Sequence, residues 1–235
     1  AAKLKYTEPE RAPSPATNQP ADFVWVEDDY PKGAKAEASG AAGALKWVEN
    51  EKVYSGKKAI ARTDTGLAQD FFTQASPPLI IGAGDTLFAY VYLDPADPPK
   101  AIMLQYHTSE WLHRANWGDE DAIAFGAKGT SQKLLMGALP KAGEWVRLEI
   151  DAGKLGLKPG AKIDGIAFTQ FGGTVYWDRV GIVTGTLQED WAGLSLLAWE
   201  QQEKAKVEFA SQCSPARNAQ VQPQCGRPRH THPRF

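Results

Sequence analysis

Cysteine is scarce in this sequence. Only Cys213 and Cys225 occur among 235 residues, and both lie in a polar stretch after the last apolar segment. Their spacing is not the Cys-x-x-Cys-His that attaches haem. A disulfide between them would close a loop without a core, and two free thiols fit the sequence equally well. The cysteines therefore give no information about the fold, and the chain has no haem-attachment motif.

Long hydrophobic runs and an excess of one charge are also missing. No apolar run approaches the ~20 residues needed to cross a bilayer, and the chain does not open with the hydrophobic segment of a signal peptide. Lys and Arg total 26 against 28 Asp and Glu, so there is no basic field to attract nucleic acid. We expect no membrane span and no nucleic-acid partner, and any export signal to lie outside this sequence.

Aromatic residues, glycine and proline are plentiful. Eight Trp, nine Phe and seven Tyr accompany 22 Gly and 16 Pro, a composition typical of many short strands joined by sharp turns. The stretch GTVYWDRVGIV at 173–183 is apolar, aromatic and rich in β-branched residues, which predicts a long buried strand. We expect this strand to pair with residues 23–31, because β-sandwiches usually bring their first and last strands together.

Alternating side chains predict further strands. In 86–94 one face is aliphatic and the other carries Phe88, Tyr90 and Tyr92, so something should cover the aromatic face. Residues 34–44 are predicted to form a loop. The remaining predicted strands lie at 45–49, 58–63, 67–72, 101–107, 111–117, 122–125, 145–150 and 163–171. About ten strands at this spacing predict an all-β fold, an antiparallel two-sheet jelly-roll sandwich.

Composition divides the chain into four parts. The Pro-rich residues 1–22 form a linker, and residues 23–186 form the jelly-roll domain. In residues 187–210 the apolar positions recur at three- and four-residue intervals, which predicts a helix. Residues 211–235 have almost no large apolar side chains, which predicts a disordered tail.

Three segments, WVRLEI, KPGAKIDGIAFTQF and GTVYWDRVGIV, resemble the closing half of galactose-binding-like jelly rolls, the sandwich of many carbohydrate-binding modules. In that group the last strand carries an aromatic residue, Asp and an apolar residue, matched here by Tyr176, Trp177, Asp178 and Val180. This resemblance implies the fold predicted above and a carbohydrate ligand.

The segments VWVEDDYPKGA, GDTLFAYVYLDP, IMLQYH, HRANWG and LPKAGEWVRLEI resemble the sandwich segment of large planctomycete proteins that carry cytochrome-c-like domains. The resemblance covers residues 23–184. It implies an accessory module, extracytoplasmic and attached to neighbouring domains of a larger protein, with no cofactor of its own.

One stretch combines the side chains that sandwich modules use to bind glycans. Aromatic rings stack on the apolar faces of sugars, while polar groups bond to the hydroxyls. The densest mixture comprises Trp111, Trp117, Tyr106, His113, Arg114 and Asn116. We expect the two tryptophans to be platforms. The alternative is that they belong to the core and that the polar groups satisfy buried backbone.

Acidic residues suggest a structural calcium ion. Asp178 and the predicted neighbours Asp28 and Asp29 can supply carboxylates, although calcium requires six to eight oxygen ligands. Alternatively, Asp178 pairs with a cation such as Arg179 or caps a turn.

No catalytic set is evident. The predicted domain contains two histidines, His107 and His113, without a nucleophile elbow or a zinc-binding spacing. We expect no enzyme activity. Two roles remain: binding of a polysaccharide, or packing against neighbouring domains through Phe88, Tyr90, Tyr92 and the helix with Trp191 and Trp199.

Overall fold

The computed structural model describes residues 21–49 and 52–185, which form strands and loops without a helix. The predicted helix and tail lie outside these residues, as does all but the end of the linker. The strands are β1 (Ala21–Val26), β2 (Lys35–Ser39), β3 (Lys46–Glu49), β4 (Lys58–Thr73), β5 (Leu79–Ile80), β6 (Thr86–Leu93), β7 (Ala101–His107), β8 (Trp111–Gly118), β9 (Leu134–Gly137), β10 (Trp145–Asp151), β11 (Lys162–Ile163) and β12 (Gly165–Thr184).

Two long strands, β4 and β12, run through both layers of the molecule. Phe168 and Trp177 of β12 are nine positions apart, a distance of ~30 Å along a straight strand. Their ring centroids are nevertheless only 5.5 Å apart, so β12 must bend sharply between them. The bend falls at Gly172 and Gly173, where the pairing with β4 shifts register and φ is 67° and 75°.

The bend divides one hydrogen-bonded network into two layers. The front layer contains β2, the end of β4, the start of β12, β7, β8 and β9. The back layer contains β1, β3, the start of β4, the end of β12, β6 and β10. Every pair is antiparallel except β8 with β9, and β5 with β11 forms a small second sheet. The described residues form an all-β jelly-roll sandwich, as predicted.

The core lies between the layers and includes Phe72, Tyr106, Phe168 and Trp177. Both layers contribute alternate residues to it, since successive side chains of a strand point to opposite faces. The predicted pairing of the first and last strands is confirmed: β1 lies beside β12, with Ala21 opposite Thr184.

Several local predictions were wrong. The two strands predicted at 163–171 and 173–183 are one strand, β12, because the chain bends at Gly172 and Gly173 without leaving the sheet. Residues 58–73 form one continuous strand instead of two, because the chain bends at 64–66 without leaving the sheet. Residues 35–39 form an edge strand instead of a loop, and β9 was not predicted. Residues 122–125 form a loop, because Ile123 packs onto Ala101 and Met103 instead of extending a sheet.

Candidate functional site

The outward side of the front layer carries an aromatic and polar patch, here called the front face. It is made of side chains that alternate with core residues on β4, β7, β8 and β12: Gln69, Phe71, Gln105, His107, Trp111, Arg114 and Thr169. Strand register sets them side by side. Phe71 and Gln105 both lie opposite Ala167, and Arg114 lies opposite Gln105.

Hydrogen bonds join the polar members of the front face into one network. Gln105 Nε2 donates to Gln69 Oε1 at 2.8 Å and to Thr169 Oγ1 at 2.7 Å. Arg114 Nε donates to Gln105 Oε1 at 2.6 Å, and its Nη1 donates to the Gln132 carbonyl at 3.3 Å. Nη2 of Arg114 has no hydrogen-bond partner among the described residues. The network therefore fixes the side chains while leaving a cationic donor at the surface.

Aromatic rings border this network. Phe71 and Trp111 meet edge to face, with ring centroids 5.7 Å apart. Trp111 also contacts the ring of His107 at 5.0 Å, and His107 Nδ1 lies 2.6 Å from Asp164 Oδ1. All three rings are partly exposed. Edge-to-face contacts hold rings in fixed orientations, so Phe71 and Trp111 form a rigid apolar surface beside the polar network.

A loop at 119–133 covers one end of the front layer. Ile123 is completely buried against Ala101 and Met103, and the ammonium group of Lys133 donates to the carbonyl of Ile123. Asn116, in the strand below, is also completely buried, and its side-chain atoms have no hydrogen-bond partner among the described residues. The loop thus limits the accessible patch to the side with Phe71 and Trp111.

The structure divides the six predicted ligand-binding residues. Trp111 and Arg114 lie on the front face. Trp117 and Tyr106 belong to the core, where burial raises the pKa of the Tyr106 hydroxyl. His113 lies on the core side, with Nδ1 2.9 Å from the Leu155 carbonyl. Asn116 is buried beneath the 119–133 loop and is not accessible to a ligand.

The expected pair of tryptophan platforms, Trp111 and Trp117, is therefore not formed. Uniform alternation would put both on one side of β8. However, Tyr106 lies opposite His113 while His107 lies opposite Trp111, so β8 has one extra residue, Leu112. Such a bulge reverses the alternation. It turns Trp111 outward while Trp117 stays inward.

Five front-face residues were not predicted from the sequence: Gln69, Phe71, Gln105, His107 and Thr169. Phe71 and Gln69 do alternate with the buried Phe72 and Asp70, which is the local signal for an outward side. Their proximity to Trp111 depends on strand order and register.

The outward side of the back layer, here called the back face, is also aromatic. Tyr54 stacks on Tyr90 with ring centroids 3.8 Å apart and an angle of 17°, and Trp145 lies 6.0 Å from Tyr54. The guanidinium of Arg147 lies 4.1 Å from the ring centre of Phe88. The prediction that something covers Phe88, Tyr90 and Tyr92 is therefore met in part by a loop. Tyr54 itself stays 43% exposed.

The acids predicted to bind calcium accept hydrogen bonds from the backbone in this structure. Asp178 Oδ2 accepts the backbone N–H groups of Tyr54 and Ser55 at 2.7 and 3.1 Å, and Asp28 Oδ1 accepts those of Lys57 and Lys58. Both acids thus anchor the segment over the back face.

Asp29 accepts its neighbour's N–H. Burial raises the pKa of Asp178, and the bonds from Ser55, Tyr54 and Arg179 oppose this. Within 21–49 and 52–185 there is no group of three or more His, Cys, Asp or Glu side chains placed to hold a metal ion. None of the described residues forms a helix that could cross a membrane.

No family model and no curated protein matches the chain. The chain resembles several solved structures. One was determined to give the structural basis for the promiscuous specificity of carbohydrate-binding modules from the β-sandwich superfamily. That match is 15% identical, with a TM-score of 0.43, over 71% of this chain and 63% of the other.

Two further similar structures are TmCBM61, in complex with β-1,4-galactotriose, and a cleaved adhesin domain of Lys-gingipain. The first is 13% identical, with a TM-score of 0.38, over 66% of this chain and 88% of the other. The second is 11% identical, with a TM-score of 0.41, over 70% of this chain and 99% of the other. At these identities and TM-scores, a functional assignment depends on the side chains of the front face.

Proposed function

We propose that this chain is a non-catalytic accessory module that binds carbohydrate on its front face. The observation that supports this most directly is the pair Phe71 and Trp111 beside the partly exposed Gln69 and Arg114. The buried Gln105 holds both polar side chains in place by hydrogen bonds. Sugars present apolar C–H faces and hydroxyl edges, and this patch offers a partner for each. The network is held in place before a ligand arrives, which lowers the entropic cost of binding.

The wider context is also part of the proposal. The sequence resemblance supports an extracytoplasmic module, residues 23–186, within a larger planctomycete protein that carries cytochrome-c-like domains. In that setting the module would hold its parent protein on a polysaccharide. Structural calcium at Asp178, Asp28 and Asp29 stays a prediction, to be tested by thermal unfolding with and without a chelator.

The test is a glycan array with the full chain, followed by calorimetry on each glycan that binds. We expect Trp111→Ala and Phe71→Ala each to weaken binding roughly fivefold, about 1 kcal/mol. Tyr54→Ala is the matched control, because it removes a partly exposed ring from the back face. We expect it to bind like the unmodified chain.

Two results would overturn this assignment. One is an array without any signal, or signals unchanged in Trp111→Ala and Phe71→Ala variants that fold normally. The other is release of new sugar ends from the bound glycan, abolished by one carboxylate substitution, which would show an enzyme.

The back face favours a second role, packing against another protein or domain. Tyr54 and Trp145 expose aromatic surface there, and Arg147 lies beside them, a combination enriched at protein interfaces. If this is the function, Tyr54→Ala should abolish binding to the neighbouring domains of the parent protein, while Trp111→Ala should not. The predicted cover by Trp191 and Trp199 lies outside the described residues.

A further inference from the structure

A cleft of about 300 Å³ opens at the edge of the sandwich, between β2 and β3. It borders the front face, since Glu37 in its wall lies opposite Phe71, but it uses none of the front-face side chains. Its lining combines two aromatic rings, aliphatic side chains and two acids. The proposed carbohydrate site gives this cleft no role.

Aromatic rings form one side of the cleft. Tyr30 and Trp47 meet edge to face, with ring centroids 5.3 Å apart at an angle of 74°. Both are only partly buried. Leu45 and Ala36 add aliphatic surface. Ring faces carry the negative part of an aromatic quadrupole and attract cations, while the aliphatic side suits an alkyl stem.

A buried carboxylate lies in the same lining. Asp70 is 3% exposed. Its Oδ1 accepts the Leu45 N–H at 2.8 Å and Arg62 Nη1 at 3.1 Å. No described residue donates a hydrogen bond to its other oxygen, Oδ2. A carboxylate oxygen can accept two bonds, so Oδ2 has its full capacity available to a ligand.

The charges around Asp70 do not cancel. Arg62 also binds Asp64, with Nη2 2.9 Å from Oδ2, so two buried carboxylates share one guanidinium. Glu37 adds an exposed negative charge to the lining. Burial raises the pKa of Asp70, and burial followed by the charges of Asp70 and Asp29 raises the pKa of the Tyr30 hydroxyl. The excess of negative charge rests on the geometry: two carboxylates contact one guanidinium, and Glu37 adds a third carboxylate to the lining.

We propose that this cleft binds an organic ammonium ion that carries a short aliphatic stem. The stem lies on Leu45 and Ala36, the rings of Tyr30 and Trp47 face the cation, and the ammonium group donates to Asp70 Oδ2. A neutral molecule of the same shape gains only the aliphatic contacts, since it neither balances the charge nor interacts as strongly with the rings.

The test uses the ¹⁵N-labelled full chain and follows the indole N–H signal of Trp47 by NMR. n-Butylammonium chloride is titrated against 1-butanol at constant ionic strength. We expect a saturating shift with butylammonium and at least tenfold weaker binding of butanol. A shift that does not saturate, or equal shifts with the two compounds, would overturn the proposal.

Three variants test whether butylammonium binds in this cleft. Asp70→Asn should weaken butylammonium binding about tenfold and Glu37→Gln two- to threefold, while Glu49→Gln, an exposed acid on β3 outside the cleft, should change nothing. Because Asp70 is buried, the Asp70→Asn result is used only if that variant still unfolds cooperatively. Glu37 is exposed, so Glu37→Gln is expected to fold normally and tests the proposal even if Asp70→Asn does not fold. Equal affinity in Glu37→Gln and Glu49→Gln would contradict the assignment.

Two more compounds distinguish the source of the ammonium group. Nα-acetyl-lysine amide represents a lysine side chain, and glucosamine represents an amino sugar. Tighter binding than butylammonium by either one supports the proposal and identifies the source. The Trp111→Ala variant should bind butylammonium normally, so a failure of the carbohydrate proposal can be told apart from a failure of this one.

Discussion

At the residue scale, two tryptophans of the same strand have opposite roles. Trp117 is 6% exposed and packs in the core with Leu104 and Tyr106. Trp111 lies on the front face against Phe71 and His107. The difference arises from the bulge at Leu112 and not from the side chains, which are identical.

This difference predicts unequal costs of truncation. Trp117→Ala should lower the free energy of unfolding by about 3–5 kcal/mol, because it removes a large buried ring and leaves a cavity. Trp111→Ala should cost about 1 kcal/mol, since a partly exposed ring loses less burial. Urea denaturation of the two variants measures both values. Equal costs would mean that Trp111 is a core residue, which would remove it from the proposed carbohydrate site.

The same residues show why the site could be predicted only in part. Trp111 and Arg114 could be selected because each is a side chain that sugars bind and because they are close in sequence. Gln105 and Thr169 are 64 positions apart, and their contact exists only because β7 pairs with β12 in one register. No local pattern in the sequence encodes that register. Nor does the alternation of apolar and polar residues in β8 reveal that Leu112 is an extra residue that turns Trp111 to the other side of the strand.

At the element scale, sequence signals were clear where a strand buries one side. Strand β10 alternates apolar and polar residues and lies where predicted. Strand β6 also lies where predicted, because its run of aliphatic and aromatic residues marks a strand that is buried on both faces. Strand β2 has every residue exposed, and its only apolar residues, Ala36 and Ala38, are too small to mark a buried face. It is held by backbone pairing with β4. Its existence could not be predicted for that reason.

One ion pair joins elements that are not hydrogen-bonded neighbours. Arg147 of β10 donates to both oxygens of Asp22 in β1, at 2.9 and 3.1 Å, and its guanidinium lies over Phe88 of the intervening β6. The hydrogen bond from Arg147 is the main cause of a pKa for Asp22 below its ordinary value of 3.8. The ion pair thus connects β10, at one edge of the back layer, to β1, which lies on the far side of β6 and β12.

Acid should weaken the ion pair between Arg147 and Asp22. The pKa of Asp22 is lower in the folded chain than in the unfolded chain. The ion pair therefore contributes to the free energy of unfolding above pH ~4, and this contribution is lost as the pH falls through the pKa of Asp22 in the folded chain. Both side chains are partly exposed, so we expect only about 0.5 kcal/mol. The stability difference between the unmodified chain and Asp22→Asn, from urea unfolding at pH 2 to 6, should shrink toward zero in acid.

A second variant checks that result. Glu144→Gln removes an exposed acid whose only ion-pair partner among the described residues is Lys141. It should show no comparable loss in acid. If the difference in the free energy of unfolding between the unmodified chain and Asp22→Asn stays constant down to pH 2, the predicted role of the ion pair is excluded.

At the scale of the whole molecule, the bend of β12 places the two faces on opposite sides of one core. Because β4 and β12 take part in both layers, neither layer has a separate set of central strands. The front face and the back face are therefore built on the same two strands.

The bend itself gives the last prediction. Gly172 and Gly173 both have positive φ, which disfavours a side chain. A Cβ at Gly173 would lie 2.4 Å from the backbone nitrogen of Pro99, whereas a Cβ at Gly172 would have no atom closer than 3.7 Å. Gly172→Ala should therefore cost about 1–2 kcal/mol, the backbone strain alone. Gly173→Ala should cost about 2–5 kcal/mol, because the strand or the Pro98–Pro99 turn must also move.

Thermal and urea unfolding of the two alanine variants, followed by circular dichroism, test this prediction. If β12 holds the layers together, Gly173→Ala should lose the signals of both layers in one transition at a lower midpoint than Gly172→Ala. Two separate transitions would show that the layers unfold independently. Equal midpoints would contradict the prediction, because they would show that the close approach of Pro99 adds no cost at Gly173 beyond the backbone strain that the two glycines share.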